Sequence, residues 1–156
     1  MRRIVATGTF DILHPGHVYY LEQSRTLGDE LHVIVARDEN VKHKPKPVVS
    51  ENQRLTMVQS LKVVDYARHG DTDDMFIPII DIDPAVITLG FNQFFSEKVL
   101  EEKLKKRGID AEVVRVGAYQ GEGFCSSREI MGQILMRRCK GTDHRGEVEN
   151  NVGTDK

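Results

Sequence analysis

Residues 2–28, "RRIVATGTFDILHPGHVYYLEQSRTLG", contain the reading on which the fold turns. "RRIVAT" is a short β-branched apolar run that stops at Gly8, the pattern of a buried strand. Pro15 suits a first helical turn, and Gly28 suits a helix end, so a helix is expected from about Pro15 to Leu27. Between strand and helix lies a loop that carries two histidines, His14 and His17, on either side of Pro15 and Gly16.

The same alternation continues outward. "LHVIVA" (31–36) reads as a second strand, followed by a polar loop with Lys42, Lys44 and Lys46. Ser50 and Gln53 have capping-box spacing, and Leu55, Val58 and Leu61 form the inward stripe of a helix. "VVDYARHG" suggests a short strand, and "DTDDMFIPIIDID" a weak helix broken near Pro78. "AVITLG" (85–90) is a clear strand that ends on Gly90. Residues 95–107 form an amphipathic helix in this reading, with Phe95, Val99 and Leu104 inside and Glu101–Lys105 and Glu102–Lys106 pairs outside. "AEVVRV" makes a fifth strand. Ser126 or Ser127 caps a last helix that carries Ile130, Ile134 and Leu135. Strands that alternate with helices imply a parallel sheet covered by helices on both faces.

The whole chain sets broad limits. Its 156 residues suffice for one domain with a real core, here residues 1–139, followed by a flexible tail at 140–156. A net charge of −2 gives no reason to expect nucleic acid or an anionic membrane as partner. No apolar run approaches the roughly 20 residues needed to span a bilayer. The apolar stretch after Met1 is too short for a signal peptide, so a cytoplasmic protein is expected. Cys125 and Cys139, separated by 13 residues, form neither a C-x-x-C pair nor a disulfide framework, and read as reduced thiols.

In an open parallel sheet, ligands gather at the carboxyl ends of the strands. The loop "TGTFDILHPGH" should lie at that edge, with the N–H groups of the helix start available to phosphate. It is neither a G-x-G-x-x-G nor a Walker A loop. The spacing of His14 and His17 leaves three readings open: a zinc pair, incidental histidines, or imidazole donors to phosphate. The absence of a supporting Glu, Cys or third His weighs against zinc, and no metal ligand is assigned.

"GTFDILHPGH" resembles the signature of the HxGH nucleotidyltransferases, the cytidylyltransferase-like group. "VSENQRLTMVQSLKVVDYARHG", "ITLGFNQFFSEKVLEEKLKKRGI" and "GFCSSREI" match further family segments in order. The second of these is most similar to archaeal-type FAD synthases. The resemblance covers about residues 3 to 138. It implies an α/β, Rossmann-like, five-stranded parallel sheet in a single domain.

The activity implied is transfer of AMP from ATP to FMN, giving FAD and pyrophosphate. A CTP-dependent cytidylyltransferase acting on glycerol 3-phosphate is the alternative, but the "R-T-E-G-I-S-T" segment typical of those enzymes is absent. By the same resemblance His14, His17 and Lys44 serve catalysis. Thr9, Phe10, Pro15, Gly16, Asn92, Tyr119, Ser126 and Ser127 join the histidines in binding nucleotide. Lys42, Lys46, Arg54 and Arg128 are further phosphate contacts, although Arg128 stands where many relatives carry a third hydroxyl. Mg²⁺ or another divalent cation is implied by the triphosphate, with Asp11 as a carboxylate within reach. Homodimers are common among such relatives; no stripe in this sequence shows an interface.

Overall fold

The computed structural model describes residues 1–42 and 44–139. The expected tail at 140–156, with His144, therefore lies outside the described residues, as does His43. Five strands are present: β1 (Arg3–Gly8), β2 (Glu30–Val35), β3 (Tyr66–His69), β4 (Val86–Leu89) and β5 (Glu112–Arg115). The helices are α1 (Pro15–Arg25), α2 (Glu51–Gln59), α3 (Ile77–Ile82), α4 (Glu97–Lys105) and α5 (Ser127–Cys139). A 3₁₀ turn over Asp38–Asn40 opens the lysine loop.

All four strand pairings are parallel, in the order β3-β2-β1-β4-β5. The strand order reverses between β1 and β4, which makes that junction the switch point of the sheet. The pleat sorts alternate residues to opposite faces. Ile4 and Ala6 of β1 and Leu31, Val33 and Val35 of β2 meet Tyr20 and Leu21 of α1 and Val58 of α2. Val5, Ile34, Ile87 and Leu89 meet Ile79 and Ile82 of α3 and Leu100 and Leu104 of α4 on the other face. Helices thus cover both faces, as the alternation of elements required.

The ends of the elements follow from local chemistry. His14 is the N-cap of α1: its Nδ1 accepts a hydrogen bond from Gly16 N–H at 3.1 Å. Ser50 Oγ accepts from Gln53 N–H and caps α2. Gly28 is required by a close approach, since a Cβ there would lie 2.5 Å from Arg2 O. Val58 is fully buried, with Leu55 and Leu61 packed beside it, so the expected stripe of α2 faces the core.

Three sequence expectations need correction. Pro78 does not break α3; it sits in the first turn, where its missing N–H costs nothing. In α4 the buried residues are Leu100 and Leu104, whereas Val99 is half exposed and Phe95 precedes the helix. The helix starts at Glu97, so its turns bring Leu100 and Leu104 to the sheet and rotate Val99 away. Glu101 accepts a hydrogen bond from Val113 N–H, which fastens α4 to β5. Finally, α5 buries none of its residues, and Ile134 and Leu135 are exposed. It follows the last strand and is fastened at its start, so its apolar side chains meet no sheet face.

Candidate active site

The loop that leaves β1 is unusually constrained. Phe10 and Ile12 have φ of 56° and 52°, a region that side chains rarely adopt and a β-branched residue almost never. Such strain persists only where the surroundings hold it, and it gathers at functional sites. Here the buried Phe10 ring folds back over Gly8, where an added Cβ would come within 2.8 Å of it. Gly8 thus accommodates the Phe10 ring.

Two further ties hold the loop. Both carboxylate oxygens of Asp11 accept backbone N–H groups of the lysine loop, from Val48 at 2.9 Å and Val49 at 3.0 Å. Ser127 Oγ donates to Asp11 O, which fixes the start of α5 against the same loop. Gly16 completes this packing, since a Cβ there would lie 2.8 Å from Cys125 O.

His14 and His17 stack with ring centroids 3.7 Å apart and planes 28° from parallel. Because His14 Nδ1 accepts from Gly16 N–H, its proton sits on Nε2, where it can be donated outward. His17 lies between His14 and the Phe10 ring, 5.5 Å from the latter, and its buried Nδ1 has no hydrogen-bond partner among the described residues. Burial lowers the pKa of His14, against the nearby Glu129 carboxylate, which raises it. Burial also brings His17 down to about 3, helped by the charges of His14 and Lys44 and opposed by Asp11. Both rings are therefore neutral at pH 7 and can donate an N–H without carrying charge.

The remaining expected residues fall around this pair in different ways. Lys44 is exposed yet close enough for its charge to act on His17, while Lys46 acts on Asp38 on the far side of the loop. Lys42 is exposed and acts on neither. Ser126 Oγ accepts from Glu129 N–H and is the cap of α5. Arg128 and Pro15 are exposed. Asn92 is exposed just beyond β4. Tyr119 leans on Tyr19 with centroids 5.7 Å apart, and its ring occupies the space above Gly121. The two tyrosines help to line a cavity of about 470 Å³ together with Leu13, His14, Val18 and Glu22.

Arg54, expected as a further phosphate contact, is instead enclosed by the protein. Its side chain is fully buried and donates to Val49 O, Thr9 O, Ala36 O and Asp38 Oδ1 at 2.6–2.9 Å. It binds the ends of β1 and β2 to the lysine loop and has no face turned to a ligand. Thr9 O is correspondingly occupied by Arg54.

Sequence reasoning missed the polar joint at the switch point. The β1–β4 ladder ends at Ala6 and Thr88. Beyond it, Tyr20 Oη donates to Thr88 O at 2.8 Å and accepts from Thr7 N–H at 3.2 Å. Ser24 Oγ lies 2.8 Å from Thr88 Oγ1 and donates to Tyr20 O. Burial pushes the Tyr20 phenol up to about 12, so it stays protonated. Gln93 spans the opening: Nε2 donates to Thr7 O at 2.8 Å and Oε1 accepts from Gly90 N–H at 3.1 Å. Arg115 supports the same loop through Gly90 O, Gln93 O and Phe95 O, with Glu97 aligning its guanidinium. A polar residue inside "VITL" and an arginine ending the strand "EVVR" were the available signals.

Among the described residues, no group of three or more His, Cys, Asp or Glu side chains could hold a metal ion. The carboxylates whose charge reaches the histidines are Asp11, at His17, and Glu129, at His14. No helix among them is long and apolar enough to cross a membrane.

Comparison with known proteins agrees with this geometry. A model of the cytidylyltransferase-like family matches residues 5–134. A FAD synthase of Methanolacinia petrolearia is 73% identical over 140 residues, 90% of this chain and 95% of that protein. One from Methanoregula boonei is 61% identical over 145 residues, 93% of this chain and 98% of its own length. A solved structure of a lipopolysaccharide core biosynthesis protein from Thermoplasma volcanium superposes with a TM-score of 0.75 at 46% identity, covering 77% of this chain and 99% of that one. The chain belongs to the cytidylyltransferase-like nucleotidyltransferases and, within them, groups with the archaeal FAD synthases.

Proposed function

We propose that the protein transfers AMP from ATP to FMN, giving FAD and pyrophosphate. The observation that carries the site of transfer is the stacked His14–His17 pair at the amino end of α1. Pro15 has no N–H, and those of Gly16 and His17 are taken up by His14, so that end offers phosphate its positive dipole, to which the imidazoles add two neutral donors. Identity to proteins named FAD synthase supports FMN as the acceptor.

The chemistry asks little of a base. The FMN phosphate is already anionic near neutral pH, and one of its oxygens attacks the α-phosphorus of ATP as the bond to the β-phosphate oxygen breaks. Catalysis is then positioning and stabilisation of charge on the phosphoryl oxygens. In this reading His14 and His17 donate to those oxygens, and Lys44 adds a mobile cation from the lysine loop. Asn92 meets the ribose and Tyr119 the adenine. The start of α5 at Ser126 and Ser127 receives the triphosphate, with Arg128 beside it. Mg²⁺, entering with ATP, would neutralise part of the phosphate charge, with Asp11 reaching it directly or through water. Pairing of two copies and a cytoplasmic location belong to the same reading.

Product identity tests it. With Mg²⁺ and reductant, FMN plus ATP should give FAD, resolved by chromatography. Formation of CDP-glycerol from CTP and glycerol 3-phosphate, without FAD, would overturn the assignment in favour of the cytidylyl reading.

A further inference from the structure

FAD carries two ring systems joined through the pyrophosphate link that forms at the transfer site, so the reaction needs two separate aromatic seats. The structure has two aromatic surfaces at the carboxyl edge of the sheet. One is the cavity walled by Tyr19 and Tyr119, which includes His14 in its lining. It belongs to the α1 face of the sheet. The other is the β4–α4 loop, which leads from the switch point to the opposite, α4 face.

That loop is an anomaly in packing terms. Phe94 is fully exposed, Phe91 is 56% exposed and Phe95 43%, so half of the chain's six phenylalanines stand in solvent within five residues. Exposed aromatics on a mobile loop would need no explanation, but this loop is held. Gln93 fastens it to Thr7 of β1, and Arg115 holds three of its carbonyls. A braced loop that presents aromatic rings rather than burying them has the form of a stacking surface. It starts at the residue hydrogen-bonded to Gln93, whose other bond reaches the strand that feeds the histidine loop.

Resting on the FAD synthase reading, we infer that Phe91 and Phe94 on the braced β4–α4 loop form the seat of the FMN isoalloxazine ring, opposite an adenine seat at Tyr119. The acceptor's ring is large, planar and apolar on its faces, and the loop supplies edge and face contacts without charge. The ribityl phosphate then runs from the phenylalanines toward His14 and His17.

Binding and kinetics on the full chain separate the two seats. Phe94 makes no core contact, so Phe94→Ala and the Phe91→Ala/Phe94→Ala double variant should keep the fold, checked by thermal unfolding. Calorimetric titration with FMN, in the presence of a non-hydrolysable ATP analogue, should show affinity reduced about tenfold, as loss of one ring-stacking contact does. The KM for ATP should stay unchanged. Tyr119→Ala should give the reverse pattern. Phe94→Trp should quench the fluorescence of bound FMN, because an indole in contact with an excited flavin transfers an electron to it. Unchanged FMN affinity in the double variant, or a rise in the KM for ATP instead, would overturn the assignment. So would a shift from dimer to monomer with FMN affinity intact, which would give the loop to a second copy. If the wild-type chain binds FMN and the variants do not, yet no FAD forms, the reading of the reaction fails while the flavin seat stands.

Discussion

Gln93 joins the two strands that part at the switch point: its Nε2 donates to Thr7 O at 2.8 Å while its Oε1 holds Gly90 N–H at 3.1 Å. One side chain thereby replaces the ladder rung that β1 and β4 lack beyond Ala6 and Thr88. It also sets Asn92, its neighbour, in a fixed relation to the loop of the histidines.

Gln93→Ala should therefore lower kcat/KM by about 10- to 100-fold, since small displacements of positioning groups cost that much. The unfolding temperature should change little, because Gln93 is only partly buried. Gln93→Glu keeps the acceptor for Gly90 but turns a carboxylate toward Thr7 O, so it should not restore activity. Steady-state kinetics for both substrates check this; wild-type rates in Gln93→Glu would show that the donor bond does not matter.

Arg54 makes a stability prediction. Its guanidinium donates to three backbone carbonyls and to Asp38, whose carboxyl it holds below the usual carboxylate range. Arg54→Met leaves those acceptors without their donor and should cost roughly 3–5 kcal/mol. Arg54→Lys should recover only part of this, since an ammonium cannot reproduce the planar fork. Denaturant unfolding of the two variants measures both.

The histidines link folding to pH. In the unfolded chain His17 titrates near 6.5, whereas burial and its cationic neighbours hold it at about 3 in the folded protein. Between those values the unfolded chain binds a proton that the folded chain does not, so stability falls as pH drops below about 6.5. The loss approaches about 1.4 kcal/mol per pH unit within the window. His17→Asn should flatten this acid limb, measured as unfolding free energy from pH 7.5 to pH 5. An identical slope in the variant would show that His17 titrates normally.

Much of this architecture was readable from sequence because it rests on local rules. Short strand-like runs that alternate with helical segments dictate a parallel sheet, and Ser50 and Ser126 cap as their spacing implied. The loop of His14 and His17 lies at the strand ends for the same reason. What sequence could not give were relations between distant segments. Arg54 is buried because Thr9, Ala36 and Val49 converge on it, a meeting that no periodicity encodes. Val99 and Phe95 fit an inward stripe by their spacing, yet the start of α4 at Glu97 sets which stripe meets the sheet. The apolar residues of α5 follow a helical pattern, yet none of them is buried against the described residues.

The claim at the centre of this account is that His14 and His17 donate neutral N–H groups to the phosphate that is transferred. The rate of FAD formation by His14→Ala and His17→Ala, at saturating ATP and FMN, tests it most directly. Each loss should lower kcat by about 100-fold, the scale for removal of one preorganised donor, in a protein that still unfolds cooperatively. Wild-type kcat in His17→Ala would contradict the account.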